Sequence, residues 1–236
     1  MIIATALYER VEQPIEMHMS RSNSLTYWQR QKASIQGMML NPEADELHYH
    51  EHKQIISCLP DLSGKDILEL GAGIGRFTTY FASQADSVTA VDFNQNFIDK
   101  NKEINAYFAN ISYQCDDAIN LSFAKDKFDF VFINWLFMYL EDDQVEIIIK
   151  RITQWLKPKG HFFLRESCIT DSKGNPPLKS TTSDSRHSHF HSHYRDPQFY
   201  LALLSKNFNL VFQGNIKIYE QKYNNPNQLF WLFKKN

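Results

Sequence analysis

The chain has 236 residues, 25 basic and 27 acidic side chains for a formal charge of -2, and 43% hydrophobic residues. That length supports one sizeable core and is short for two catalytic domains with separate cores. Without a block of like charge there is no phosphate-backbone track and no polybasic membrane anchor, so nucleic acid is not the expected partner.

The longest apolar runs, such as Phe130 to Ile133, are strand-length and far short of the roughly 20 residues a membrane span needs. Glu9, Arg10 and Glu12 interrupt the stretch where a signal peptide would be apolar, so a soluble, cytoplasmic protein is expected. Cys58, Cys115 and Cys168 are odd in number and widely spaced, which reads as three buried thiols rather than a metal or redox pair.

In chain order, residues 1–60 carry two helical patterns, near Leu25 to Leu40 and His48 to Leu59, and are expected to form a helical cap. Residues 61–236 are expected to form the main domain. From Lys65 onward short apolar runs alternate with longer amphipathic ones. Strands are expected over Asp66 to Leu70, Ser87 to Val91, Ile111 to Cys115, Phe128 to Ile133 and Gly160 to Leu164, and helices over Gly75 to Ser83, Gln95 to Asn105 and Glu141 to Leu156. This alternation specifies an α/β fold with a parallel, doubly covered sheet. Gly, Pro, Ser, Thr, Asp and His dominate residues 169–193, which read as a mobile surface loop. A helix over Asp196 to Asn207 and strands over Phe208 to Phe212 and Leu229 to Phe233 close the chain.

The strongest motif is Asp66-Ile-Leu-Glu-Leu-Gly-Ala-Gly-Ile-Gly-Arg76, a strand entering a glycine-rich turn and then a helix. Gly71, Gly73 and Gly75 let the backbone turn sharply and approach a ligand. The spacing is GxGxG, whereas a dinucleotide site wants GxGxxG and a P-loop wants GK[ST]. Glu69 would repel a pyrophosphate but can accept hydrogen bonds from a cationic aminoacyl group, which favours the sulfonium nucleoside S-adenosylmethionine over NAD. Asp92 ends the second strand, where a carboxylate takes both ribose hydroxyls. The third strand ends in Cys115-Asp116-Asp117-Ala118, where Asp116 or Asp117 accepts the adenine amino group beside Ala118. Asn134, at the end of the fourth strand, is assigned to the same cofactor site. The competing reading is that Glu69 and Asp92 only cap helices.

These residues resemble class I S-adenosylmethionine methyltransferases. Further segments resemble the phosphoethanolamine N-methyltransferases, above all the first methyltransferase half of the plant enzymes. The likeness lies in Tyr27-Trp28, Met38-Met39-Leu40 followed by Ala44 and Leu47, Leu68 to Thr78, Asn134-Trp-Leu-Phe-Met-Tyr-Leu140, Trp155-Leu-Lys-Pro158, Arg165-Glu-Ser-Cys168, His193-Tyr-Arg-Asp-Pro-Gln-Phe-Tyr200 and Asn227-Gln-Leu-Phe-Trp231. It implies a Rossmann-like seven-stranded sheet of order 3-2-1-4-5-7-6, a small-molecule substrate and methyl transfer to the amine of phosphoethanolamine on the way to phosphocholine. In the single-domain protozoan members a Tyr and His pair closes over the amine. Tyr27 matches the tyrosine, and Met138 or Tyr139 stands at the histidine position, so Tyr27 and Tyr139 are the candidate catalytic pair. Tyr194, Arg195 and Tyr200 occupy the region where the family recognises phosphate; ordinary helix-start chemistry, with Arg195 paired to Asp196, is the alternative.

His187, His189, His191 and His193 alternate and would share one face of an extended chain, but no cysteine or supporting carboxylate accompanies them, and no metal is expected. His48, His50 and His52 read as exposed helix residues, one of which can face the active-site mouth. Asn175-Pro176-Pro177-Leu178 resembles an amino-methyltransferase motif but follows the fifth strand instead of the fourth, and is set aside as coincidence. Two rival functions stay open: methylation of another small amine or acid, and a catalytically idle cofactor-binding partner protein.

Overall fold

The computed structural model describes residues 25–176 and 192–236. Residues 25–29 are helical and are followed by α1 (Ile35–Met39) and α2 (Ala44–Ser57). The single helix expected from Leu25 to Leu40 is therefore broken. Ser34 adopts an extended backbone and its hydroxyl accepts the Gly37 amide, restarting the helix, and Leu40 ends it in the left-handed region at φ 50°.

Seven strands follow: β1 (Asp66–Leu70), β2 (Ser87–Asp92), β3 (Ile111–Cys115), β4 (Phe128–Asn134), β5 (Leu156–Ser167), β6 (Phe208–Asn215) and β7 (Gln228–Lys235). They lie in the order β3-β2-β1-β4-β5-β7-β6, with β7 antiparallel to both neighbours and the β3-to-β5 ladder parallel. The connecting helices are α3 (Thr78–Gln84), α4 (Gln95–Ile104), α5 (Asp142–Trp155), α6 (Pro197–Leu204) and α7 (Lys217–Tyr223).

Strands buried on both faces read as continuous apolar runs, and β4 shows why. Val131 and Ile133 join Leu68, Leu70, Phe162 and Leu164 under α5, whereas Phe130 and Phe132 join Ile67, Phe163 and Phe230 on the other face. The α5 helix lies flat because Val145, Ile148, Ile149 and Ile152 recur at helical spacing. Each contributes roughly 1.5 to 3 kcal/mol on burial. Its start is set by a capping box between Glu141 and Gln144.

Two further elements depart clearly from the sequence reading. β5 begins at Leu156, not Gly160, and runs on to Ser167, because β4 already pairs with it at Phe128↔Leu156 and β7 holds it as far as Ser167↔Gln228. A register shift between Phe128 and Phe130 and a left-handed Lys159 (φ 62°) absorb the intervening Pro158. The α7 helix, which has no counterpart among the expected elements, buries Tyr219 against the sheet.

The carboxyl ends of β1, β2 and β4 open on one edge, where the strand order reverses between β1 and β4, the usual crevice of such sheets. Trp28 and Met38 cover that edge from the amino-terminal segment. No helix among the described residues is long and apolar enough to cross a membrane.

Candidate active site

The turn after β1 is pinned to the neighbouring strand, with the amides of Gly71 and Ala72 both donating to Val91 O at 2.9 Å. Gly71 sits at φ 72° and Gly75 at φ 91°; a Cβ at Gly75 would also stand 2.5 Å from Asn101 Oδ1. Only glycine takes these conformations without strain. The turn forms one wall of a cleft lined by Glu69, Gly71, Ala72, Arg76, Asp92, Asp116, Asp117, Ala118, Asn134 and Tyr139, and roofed by Trp28 and Met38. The Met38 sulfur lies 3.3 Å from the Ile74 amide.

Glu69 is 2% exposed and accepts the Thr78 hydroxyl at 2.6 Å. Burial pushes its carboxyl up to about 8; the Asp92 charge adds to the rise, and Thr78 and Arg76 oppose it. Asp92 accepts the Gly73 amide on Oδ2 and the Asn94 amide on Oδ1, both at 2.9 Å. Burial nevertheless raises it to about 6 against those two bonds. Thus Asp92 shapes the turn, through Gly73, as well as facing the cleft. At the far end Asp116 accepts the Asp117 amide at 2.8 Å, and Asp117 accepts the Ile119 amide at 3.2 Å, starting the short turn Ala118–Asn120.

Two features suit a cationic nucleoside. The deep wall carries two desolvated carboxylates whose ionisation a cation would favour. Asn134 Oδ1 is buried and has no hydrogen-bond partner among the described residues, an acceptor that a ligand donor would satisfy.

Beyond β4 the chain turns at Trp135, φ 59°. The Trp135 amide donates to Arg165 O at 2.9 Å and its indole Nε1 to Ser167 Oγ at 2.9 Å. Glu166 then accepts three successive amides, from Leu136, Phe137 and Met138, at 3.1, 2.7 and 3.2 Å. Burial raises its carboxyl to about 7 against those three bonds and the Arg165 charge. This cradle aims Tyr139 into the cleft, where its ring meets Trp28 edge-on at 5.3 Å. Burial holds the phenol well above its usual range, so it stays neutral.

Residues 67–160 match the family model described as a methyltransferase domain. Phosphoethanolamine N-methyltransferase 3 of Arabidopsis thaliana is 37% identical over 224 residues, which cover 89% of this chain and 44% of the plant protein. Phosphoethanolamine N-methyltransferase 1 of Caenorhabditis elegans is 36% identical over 232 residues, 93% of this chain and 48% of the worm protein. The structure of Haemonchus contortus phosphoethanolamine N-methyltransferase 1, in complex with phosphoethanolamine and S-adenosylhomocysteine, superposes with a TM-score of 0.85 at 37% identity, covering 93% of this chain and 49% of that one.

Over about nine tenths of its length the chain is homologous to phosphoethanolamine N-methyltransferases. It spans about half the length of the curated relatives it matches.

Two segments of family likeness turn out to be scaffolding. Arg165-Glu-Ser167 is the end of β5 that holds the Trp135-to-Tyr139 loop, with Cys168 just beyond it. Arg195 does not face the cleft: Nε donates to Asp142 at 2.7 Å, Nη1 to Phe137 O at 2.7 Å, and Nη2 to Leu140 O. In this structure Arg195, expected as a phosphate cation, braces α5, the Tyr139 loop and the start of α6. The pairing with Asp196 also does not occur, since Asp196 caps α6 through the Gln198 amide at 2.8 Å. Tyr200 is fully buried in the core, stacked on Phe137 at 6.3 Å, and does not line the cleft. Tyr194 remains near the site as a charge neighbour of Tyr139. Tyr27 packs edge-on to Trp28 at 5.8 Å and is half-buried beside the cleft rather than lining it.

The sequence reading missed Glu51. It continues the buried stripe of α2 set by Ala44, Leu47 and Ile55, and a carboxylate inside an apolar helical stripe was the available signal. Glu51 takes Arg76 Nη2 on Oε1 at 2.8 Å and Arg165 Nη2 on Oε2 at 3.0 Å, with the Tyr219 hydroxyl at 2.8 Å. Burial would raise its carboxyl, but the two guanidinium groups and Tyr219 override that and hold it at about 2. His48 and His52 are not exposed: His48 Nδ1 accepts Arg76 Nε at 3.1 Å, and His52 stacks on Phe77 at 4.9 Å. Of the cysteines only Cys168 is buried; Cys115 is exposed on the edge strand β3. His187, His189 and His191 lie outside the described residues. His193 approaches Glu141 at 3.4 Å.

Proposed function

We propose that the chain is an S-adenosylmethionine-dependent enzyme that methylates the amine of phosphoethanolamine towards phosphocholine. The observation that carries this reading is the likeness, at 37% identity over 93% of the chain, to a relative bound to phosphoethanolamine and S-adenosylhomocysteine. The cleft supplies the chemistry independently of that name.

Glu69, Gly71, Gly73, Asp92, Asp116 or Asp117, Ala118 and Asn134 would hold the cofactor, which supplies an electrophilic methyl on a positively charged sulfur. Glu69 accepts the aminoacyl ammonium, Asp92 the ribose hydroxyls, and the Asp116-Asp117 pair the adenine amino group. Methyl transfer would require the lone pair of the neutral amine to be held in line with the sulfur–methyl bond, which is what the residues around the amine must provide. Tyr139, neutral and fixed by the Glu166 cradle, orients the amine. Tyr27 closes over it from the cap, Trp28 and Met38 exclude water, and the proton released on nitrogen leaves to water. Tyr194 contributes a hydroxyl to the phosphate side.

On this reading residues 1–60 act as a lid on a catalytic unit formed by residues 61–236, and the protein works in the cytoplasm. Comparing phosphoethanolamine with ethanolamine tests the substrate reading: strong preference for the phosphorylated amine is expected. Equal turnover of the two would remove phosphoethanolamine and leave a methyltransferase of another small amine.

A further inference from the structure

Arg76 follows the last glycine of the turn and lines the cleft beside Glu69. Two of its three nitrogens are tied down, Nε to His48 and Nη2 to Glu51. The third, Nη1, makes no hydrogen bond to another described residue, and Nε and Nη1 of Arg165 are buried without a partner among the described residues. Glu51 is shared, because its other oxygen takes Arg165, which is fully buried under the Trp135 ring with 3.5 Å between guanidinium carbon and ring centre. Two guanidinium groups therefore face one carboxylate. The other carboxyls these guanidinium charges act on, Glu166 and Glu69, are raised by burial to about 7 and about 8, so the positive charge is only partly offset in the ligand-free protein, which favours an anion. Arg165 is sealed from the cleft by Trp135, so Arg76 is the member through which the cluster meets a ligand.

The site already accounts for the cation of an amino acid but not for its anion. Glu69 suits an ammonium, and Arg76 stands on the same wall, near enough to act on the Glu69 carboxyl. A planar guanidinium with one free edge matches an oxyanion.

We propose that Arg76, held at the cleft wall by Glu51 and His48, receives the carboxylate of the cofactor's aminoacyl group. Glu69 and Arg76 then read its zwitterionic end together. This rests on the S-adenosylmethionine reading above and adds to it a residue that discriminates among adenosyl thioethers. Ligands lacking the carboxylate forgo that charge-assisted bond and bind more weakly.

The test is calorimetric binding of S-adenosylhomocysteine and of its decarboxylated analogue to the wild-type chain, Arg76→Lys and Arg76→Met, with thermal unfolding to confirm the fold. Wild type should prefer S-adenosylhomocysteine by about tenfold or more, the worth of one charge-assisted bond. Arg76→Met should lose that preference while binding the decarboxylated analogue within about twofold of wild type; Arg76→Lys should keep part of the preference. Equal wild-type affinity for the two ligands overturns the proposal, even if Arg76→Met fails to fold. So does an Arg76→Met variant that weakens both ligands alike, which is the mark of a structural residue. If neither ligand binds wild type, the cofactor reading itself fails and takes this inference with it.

Discussion

Replacing Glu69 with Gln should stabilise the ligand-free protein increasingly as pH rises, while removing the charge the cofactor needs. The folded carboxyl titrates at about 8 against an ordinary value of 4.5. With the folded value above the unfolded one, the group's contribution favours the fold at pH below about 4.5 and is lost as pH rises through about 8. At roughly 1.4 kcal/mol per pH unit, Glu69 costs the fold about 1 kcal/mol at pH 5.5 and about 4 kcal/mol at pH 8. Gln keeps the shape and still accepts the Thr78 hydroxyl, but it adds buried amide donors whose cost does not vary with pH. The difference between the two pH values, about 3 kcal/mol, is therefore the quantity to measure. For a chain of this size it corresponds to a relative Tm shift of roughly 6 to 12 °C. Thermal unfolding of wild type and Glu69→Gln at both pH values reads it directly. A gap between the two proteins that stays the same at pH 5.5 and pH 8 would refute the claim that Glu69 is desolvated, and with it the reason for assigning it a cationic partner.

The same displaced carboxyl predicts proton release on binding. At pH 6.5 S-adenosylhomocysteine should expel about one proton as Glu69 ionises against its ammonium, measured as the dependence of calorimetric heat on buffer ionisation enthalpy; no dependence would contradict it. Asp92→Asn should weaken S-adenosylhomocysteine by about 1.5 to 3 kcal/mol, and unchanged affinity would remove Asp92 from the ribose site. Tyr139→Phe should lower kcat at least about tenfold with cofactor affinity within twofold, and Tyr27→Phe should lower it by more than about twofold; rates that barely move would reduce both rings to packing. Arg195→Ala should lower stability by on the order of 2 kcal/mol, because the Phe137 and Leu140 carbonyls lose their buried donor. A raised KM for phosphoethanolamine at unchanged stability would restore the phosphate role instead.

Much of the fold is legible because β1 and β3 are bounded runs with distinct turn chemistry at both ends, and the sequence places their limits correctly. The glycine turn and the acidic strand ends are legible for the same local reason. What escapes is tertiary. The reach of β5 depends on partners on both sides, and α7 shows little in sequence because it buries chiefly Tyr219. The bracing contacts of Arg195 are invisible in its motif, since their acceptors are carbonyls more than fifty positions away. Glu51 is hidden by the opposite error: a charged residue on a helix reads as solvated until its partners, 25 and 114 positions downstream, are seen to bury it.

The most direct test of the account is to incubate the protein with phosphoethanolamine and S-adenosylmethionine carrying an isotopically labelled methyl group, and to identify the products by mass spectrometry. The account predicts that the label appears on the nitrogen of phosphoethanolamine, with S-adenosylhomocysteine formed in equal amount. Cofactor binding without any labelled amine would contradict it and leave a cofactor-binding protein that is catalytically idle towards this substrate.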